Sequence, residues 1–172
     1  MTRLDRSVRR VLFVCTGNIF RSLTAEYALR AELLRIGSNI VVESAGTEDF
    51  PHVVKPIVSN YLHARGLDVR AHRRRTLTSA MLGADLVVAM STEHVTTLRD
   101  QFDYAAPLFT SACGLNDEPL PDVDEAVADH ASNPRAVEAH VRATIDRIIE
   151  LAPRLAGRIT IPPDPVRHEA NR

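Results

Sequence analysis

Short runs of apolar residues alternate with longer amphipathic stretches along most of the chain. Four runs are rich in Val, Ile, Leu or Phe and too short for helices, so we expect them to be buried strands: residues 8–14, 39–43, 84–89 and 106–109. Strands that alternate with helical stretches are typical of a parallel sheet covered by helices. The pattern therefore predicts an α/β protein.

The first amphipathic stretch lies between the first two predicted strands. Gly37 supplies a stop at its end, and the apolar residues before it recur at helical spacing: Leu23, Tyr27, Ala31 and Leu34. A helix that joins two such strands makes a β-α-β unit.

Three later helices are predicted, over residues 54–65, 92–100 and 134–152. Asn133 is expected to cap the last of them, with Pro134 at its first position. After Gly157 the chain is rich in proline and charge, which is typical of a mobile tail. We therefore expect one domain over residues 7–157 and a tail over residues 158–172.

The composition is that of an ordinary globular protein, with 172 residues, 45% of them hydrophobic and 25% charged. A net charge of −1 argues against nucleic-acid binding through bulk electrostatics. The sequence has neither an apolar run long enough for a membrane span nor a signal core, so we expect a cytoplasmic location. Cys15 and Cys113 are expected to be reduced thiols.

The stretch "VLFVCTGNIFRS", residues 11–22, carries the most specific chemistry. Cys15 stands at the carboxyl end of the first predicted strand, where open α/β sheets usually bind ligands. A loop and the start of a helix follow, and Arg21 closes the loop. Backbone N–H groups and a guanidinium in this arrangement suit a phosphate, and the same positive environment favours a thiolate at Cys15.

Other site chemistries have little support in the sequence. The nucleotide-binding pattern G-x-x-x-x-G-K-[ST] is missing, so a nucleotide loop is not expected. The seven histidines are scattered, the motif H-E-x-x-H is missing, and the two cysteines are far apart. We expect no metal and no cofactor.

Five segments together resemble the low-molecular-weight protein tyrosine phosphatases. They are "VCTGNIFRS" with the following Ala25-Glu26, "ESAGT" at 43–47, "HRRRTLT" at 72–78, "ADLVVAM" at 84–90 and "LPDVD" at 120–124. They fall in the family's order and cover the chain from residue 8 to about 156. The resemblance implies a three-layer sandwich with a central four-stranded parallel sheet of order 2-1-3-4.

By this resemblance, Cys15 is the nucleophile that becomes phosphocysteine. Arg21 clamps the phosphoryl oxygens, and Ser22 hydrogen-bonds the sulfur and helps it leave in the second step. The resemblance also implies that the phosphate is bound by Thr16, Gly17, Asn18, Ile19, Phe20, Arg21 and Ser22.

Two further residues are implied by the resemblance as supports of the loop. Asn18 resembles the family's loop-shaping asparagine, which is held in strained geometry by hydrogen bonds to the equivalents of Ser44 and His72. From the sequence alone, Ser44 is more readily interpreted as the end of a strand, and His72 as part of a basic surface cluster.

A carboxyl group must protonate the leaving oxygen if a thiolate is to expel an aryl oxide. Asp122 matches the family's acid because it follows Pro121. Val123, however, stands where a proline normally comes next, and the aromatic pair expected just beyond is missing from residues 124–126. Asp124 therefore remains a rival for the role.

The loop also bears on the substrate. Ile19 resembles the bulky loop residue of tyrosine-directed members, whereas arginine-phosphate-directed relatives tend to have threonine, so phosphotyrosine in a protein or a similar aryl phosphate is expected. Phe50 is a candidate for one wall of the ring pocket. Phe20 stands where many relatives carry a second cysteine, so no disulfide can form within the loop.

Two alternative functions stay open. A thiol-dependent arsenate reductase of the same fold needs further thiols, and only Cys113 remains unless a small thiol substitutes. A non-catalytic phosphate-binding module is motivated by the altered motif around Asp122. The physiological substrate and the oligomeric state are not predicted.

Overall fold

Three parallel strands form the centre of the fold in the computed structural model, which describes residues 7–160. Strand β1 spans Arg10–Cys15, β2 spans Val41–Gly46 and β3 spans Leu86–Ala89, and their order in the sheet is β2-β1-β3. Cys15 pairs with Gly46, and Val14 pairs with Ala89. The carboxyl ends of the three strands therefore meet at one edge of the sheet.

Six α-helices surround the sheet within the described residues. They are α1 Arg21–Arg35, α2 Pro56–Ala64, α3 Thr92–Phe102, α4 Phe109–Ala112, α5 Val123–Ala126 and α6 Pro134–Thr160, and a 3-10 helix spans Ser79–Gly83. Between residues 7 and 160, no helix has both the length and the apolar character that crossing a membrane requires.

The side chains of β1 alternate between two cores. Phe13 and Cys15 pack on one face, in a cluster that includes residues of α1, α2 and α6, whereas Leu12 and Val14 pack on the other with Leu98 of α3. Successive side chains of a strand point to opposite faces. Helices therefore cover both faces, which is why β1 is apolar without interruption.

The predicted fourth strand is wrong, and the described sheet has three strands. Residues 106–109 make only a single bridge, from Ala89 to Leu108, and α4 begins at Phe109. Pro107 has no N–H to donate to a strand ladder. The apolar run instead reflects the burial of Phe109, whose ring packs edge-on against Phe13 at 5.9 Å between centroids.

Helix α1 is present where the sequence predicts it, but the predicted apolar stripe is only partly the buried face. Leu34 is 81% exposed, whereas Leu29 and Leu33 are buried. The first turns of α1 also bury polar residues, among them Arg21 and Glu26. These polar residues support the loop after β1 and are buried for that reason. Hydrophobic periodicity alone therefore does not identify the buried face of α1.

Helix α6 begins as predicted but ends later. The side chain of Asn133 accepts a hydrogen bond from the backbone N–H of Ala136 at 3.1 Å, with Pro134 at the first helical position. The helix continues through the exposed Pro153 to Thr160. Residues 158–160 are therefore helical rather than part of the expected tail, and the rest of that tail lies outside the described residues.

Candidate active site

Cys15 ends β1, and the residues that follow form a tight loop before α1 begins at Arg21. The cysteine side chain is buried, and its Sγ lies 2.9 Å from the Oγ of Ser22 in the first turn of α1. The loop therefore folds back so that the start of the helix lies beside the sulfur.

Asn18 is the residue around which the loop turns. Its φ of 55° lies in the left-handed region, which costs energy for a residue other than glycine. Its Oδ1 accepts the backbone N–H of Arg75 at 2.9 Å, which fixes the orientation of the amide. Its Nδ2 then donates to Ser22 Oγ at 3.0 Å and to Ser44 Oγ at 2.7 Å.

The hydrogen bonds from Glu26 to Cys15 have a fixed direction. The hydroxyl of Ser44 donates to the buried carboxylate of Glu26, so the Ser44 oxygen can only accept from Asn18. Asn18 also donates to Ser22, and when Cys15 is a thiolate the hydroxyl of Ser22 is the donor in its contact with the sulfur. A hydrogen bond to sulfur stabilises the thiolate over the thiol.

The end of β2 supports the loop from below. The backbone N–H groups of Thr47 and Glu48 donate to the carbonyls of Cys15 and Thr16 at 2.9 and 3.1 Å. Gly46 leaves no room for a side chain, because a Cβ atom there would lie 2.5 Å from the Thr16 carbonyl oxygen. The loop and strand β2 are therefore in backbone contact.

His72 also holds the loop, through the carbonyl oxygen of Asn18 at 2.9 Å from its Nε2. Burial lowers the pKa of His72, so the imidazole is neutral at neutral pH. Because a carbonyl only accepts, Nε2 carries the proton and donates it.

Arg21 is a buried guanidinium, 1% exposed, at the start of α1. Its Nη1 donates to the carbonyl of Leu120 at 3.0 Å, and its Nη2 donates to the carboxylate of Asp122. Within the described residues its Nε is buried without a hydrogen-bond partner. A buried donor left unpaired is costly, so this group is suited to an anionic ligand.

His94, fully buried at the start of α3, contacts the loop from the β3 side. Its Nδ1 accepts the backbone N–H of Ser91 at 3.0 Å, so in the neutral ring the proton is on Nε2. That nitrogen lies 2.9 Å from the Thr16 hydroxyl oxygen, which is also 3.4 Å from Arg21 Nη2. Burial, assisted by the charge of Arg21, lowers the pKa of His94 to about 3, so the ring stays neutral.

The two rival carboxylates lie in different surroundings. Asp122 caps α5 by accepting the backbone N–H of Val123 at 2.7 Å, and its other oxygen bonds Arg21. Asp124 is exposed and accepts only the backbone N–H of Glu125, at 3.1 Å. Of the two, Asp122 is the one in contact with Arg21.

A cavity of about 370 Å³ opens in front of the loop, within the usual size range for small-ligand sites. Its lining is mixed: the apolar residues are Ile19, Phe20, Ile57, Val58, Val123, Val137 and Val141, and the polar ones include Glu48, His52, Lys55, Asp122, Asp124 and His130. Phe50 does not line it: the ring is 61% exposed and packs edge-on against His52 at 5.1 Å. Phe20 thus contributes an aromatic ring to the cavity, and the rest of the apolar lining is aliphatic.

The structure brings together residues that are far apart in the sequence. Asn18 bonds both Ser44 and His72, and Arg21 bonds Asp122. Sequence reasoning missed three participants: Glu26 as an acceptor, His94, and Lys55 at the cavity. The pattern Ser91-x-x-His94 resembles a helix capping box and could have indicated that His94 lies at a helix start.

A buried cysteine at the end of a parallel strand, followed by a tight loop and a buried arginine, is the arrangement of a cysteine-dependent phosphatase. A family model described as low molecular weight phosphotyrosine protein phosphatase matches residues 10–159. The chain belongs to this family.

Curated relatives include two kinds of phosphatase. The chain is 32% identical over 108 residues to the protein-arginine-phosphatase of Bacillus subtilis, a match covering 58% of this chain and 68% of that protein. It is 34% identical over 87 residues to the low molecular weight protein-tyrosine-phosphatase Etp of Escherichia coli K12, covering 49% of this chain and 56% of that one.

Solved structures agree over most of the fold. The arginine phosphatase YwlE with a phosphorylated active-site serine matches with a TM-score of 0.72 at 26% identity, over 87% of this chain and 95% of that one. The low molecular weight protein tyrosine phosphatase from T. tengcongensis matches with a TM-score of 0.70 at 29% identity, over 87% and 98%.

Proposed function

We propose that the protein hydrolyses phosphotyrosine in proteins through a phosphocysteine intermediate on Cys15. The observation that carries this proposal is the 2.9 Å contact between the Ser22 hydroxyl and the Cys15 sulfur, at the base of a loop closed by Arg21. The two cysteines are free, and reduced thiols fit a cytoplasmic location.

In the first step the Cys15 thiolate attacks phosphorus, an S–P bond forms, and the P–O bond to the aryl group breaks. The incoming phosphate takes the Nε and Nη2 donors of Arg21, which releases the Asp122 carboxyl group. The freed carboxylate takes up a proton from solvent, and Asp122 in this protonated form gives the proton to the leaving oxygen.

In the second step a water molecule attacks the phosphocysteine. Asp122, now a carboxylate, accepts a proton from that water as the new O–P bond forms. The S–P bond breaks and its electron pair stays on sulfur, where the hydroxyl proton of Ser22 stabilises the thiolate. Phosphate leaves, Asp122 releases its proton to solvent, and the carboxylate pairs with Arg21 again, which restores the starting state.

The apolar part of the cavity suits a ring. Ile19 and the aliphatic side chains offer apolar contact to a tyrosyl ring, while the carboxylates of Glu48, Asp122 and Asp124 at the same cavity would suit the guanidinium of phosphoarginine. Because the relatives include both tyrosine and arginine phosphatases, the two substrates have to be compared directly.

The test is turnover of para-nitrophenyl phosphate and of matched peptides that carry phosphotyrosine or phosphoarginine. Cys15→Ser should abolish turnover, and Cys113→Ala, which alters a buried cysteine of the core, is the matched control and should keep it. Mass spectrometry of the acid-quenched enzyme should find phosphate on Cys15. Wild-type turnover by Cys15→Ser would overturn the proposal, and preference for phosphoarginine would overturn the substrate.

The role of Asp122 has its own test. Asp122→Asn should slow esters with poor leaving groups far more than activated esters, while Asp124→Asn should not. The opposite result would assign the proton to Asp124. Thiol-dependent arsenate reduction without ester hydrolysis would favour the reductase, and tight vanadate binding with neither activity would favour a binding module.

A further inference from the structure

A second groove, of about 480 Å³, adjoins the candidate active site and carries an uncompensated positive charge. Ile19 and His52 border both the groove and the active-site cavity, so the two are continuous along the surface. The groove's other lining residues include Val53, Val54 and Val69 as apolar walls and Arg70, Arg73 and Arg74 as cations.

Hydrogen bonds attach the groove to the phosphate loop, which is the loop of residues 16–20 between β1 and α1. The Nε of Arg74 donates to the carbonyl of Gly17 at 3.3 Å, and His72, which also lines the groove, donates to the carbonyl of Asn18 at 2.9 Å. One wall of the groove is therefore held by the same loop that would hold the phosphate.

The charges in the groove do not cancel. Arg70 is neutralised by two hydrogen bonds to Asp68, at 2.9 and 2.6 Å, and His72 is neutral because burial lowers its pKa. Arg73 is exposed, and among residues 7–160 it donates only to the carbonyls of Arg70 and His72.

Arg74 is partly compensated. It donates to two carbonyls and to the hydroxyl of Thr76, which in turn donates to Asp49 at 2.9 Å. In the part of the chain that the structure describes, neither Arg73 nor Arg74 forms an ion pair with a carboxylate. Arg73 therefore has the least compensated charge.

We propose that this groove binds an acidic side chain of the substrate protein, close in sequence to the phosphorylated residue. The inference rests on the proposed phosphatase function and deepens it. A guanidinium bonds a carboxylate with two parallel hydrogen bonds, and an extended peptide advances about 3.3 Å per residue. A glutamate or aspartate within about three residues of phosphotyrosine can therefore reach the adjoining groove.

The experiment measures binding of three phosphotyrosine peptides to Cys15→Ser, and their turnover by the active enzyme. The peptides differ only at the three positions on each side of phosphotyrosine, which carry Glu, Gln or Lys. We expect affinity and kcat/KM to fall in that order, by roughly 2- to 5-fold between Glu and Gln at low salt, and the difference to shrink as salt is added.

Arg73→Gln should remove most of the preference for Glu over Gln. Arg35→Gln is the matched control: it removes one exposed guanidinium at the far end of α1 and should leave the preference intact. Equal binding of all three peptides to Cys15→Ser would overturn the inference. A preference for Glu over Gln that stays unchanged in Arg73→Gln would also overturn it. The same holds if Arg73→Gln weakens only the binding to vesicles of anionic lipid and not the binding of the peptides.

The two proposals fail in different ways. If para-nitrophenyl phosphate is hydrolysed but the peptides are not distinguished, the groove proposal alone is wrong. If no ester is hydrolysed, the function is wrong, and the binding series still decides whether the groove prefers acidic peptides.

Discussion

The carboxylate of Asp122 bonds the guanidinium of Arg21, although the two residues are 101 positions apart. The arginine is buried and the aspartate is partly exposed at the cavity, with 1% and 33% of their side chains accessible. An anion that enters the site therefore competes with Asp122 for Arg21.

Replacing Asp122 should tighten the binding of inhibitory anions while it slows catalysis. In Asp122→Asn the competing charge is removed, and we expect vanadate to inhibit about 10-fold more tightly, in line with the strength of a hydrogen bond to a charged group. Asp124→Asn removes the same charge from the cavity without a contact to Arg21, so its effect should be much smaller. Weaker inhibition of Asp122→Asn would contradict the competition.

A methyl group at Gly46 should damage the phosphate loop. The Cβ of Gly46→Ala would lie 2.5 Å from the Thr16 carbonyl oxygen, so the loop must shift, and we expect kcat/KM to fall by about 10-fold or more. Gly157→Ala is the control, because Gly157 lies at an exposed position of α6 and a Cβ atom there meets nothing within 4 Å. It should raise the free energy of unfolding by roughly 0.5–1 kcal/mol. Full activity of Gly46→Ala would show that the contact is unimportant.

His94 should act on the reaction through Thr16. His94→Asn can still accept the Ser91 N–H but is too short to reach Thr16, and we expect a loss of roughly 3- to 10-fold in kcat/KM. In a Thr16→Val variant, His94→Asn should lower kcat/KM little further, because the Thr16 hydroxyl that His94 contacts is already missing. Additive losses in this double-mutant cycle would make His94 a purely structural residue.

His94 should also make the fold sensitive to acid. Its pKa falls from 6.5 to about 3 on folding, so between these values the unfolded chain binds more protons than the native one. Stability from this residue is complete above pH 6.5 and is lost as the pH falls towards 3. The free energy of unfolding can be measured in urea at several pH values between 3 and 6.5. It should rise with pH less steeply in His94→Asn than in the wild type, by up to about 1.4 kcal/mol per pH unit. An unchanged slope would contradict the burial of a neutral ring.

The strand, loop and helix from residue 10 to 35 were the most predictable part of the fold. An apolar run predicts β1, and Cys15 and Arg21 lie only six positions apart on either side of the loop. Their arrangement therefore depends on residues that are neighbours in the sequence. The fourth strand was not predictable in this way, because a short apolar run around Phe109 is the same whether it is a strand or the start of a buried helix.

Buried polar residues were the main gap in the site. Glu26 and His94 are polar types that usually lie on the surface, and nothing in their local sequence indicates that they are buried. The contact between His94 and Thr16 spans 78 positions and arises only when β3 pairs with β1. Asp122, by contrast, is predicted from the family motif and not from spacing, and the structure places it against Arg21.

The ordered chain from Glu26 through Ser44, Asn18 and Ser22 to Cys15 commits every hydrogen it contains. No member can pass a proton inward without reversing its neighbours, and the Asn18 amide cannot reverse because the Arg75 N–H holds it. When Cys15 is a thiolate, this chain therefore holds no spare proton for the sulfur. A proton that neutralises the thiolate then has to come from outside the chain of hydrogen bonds.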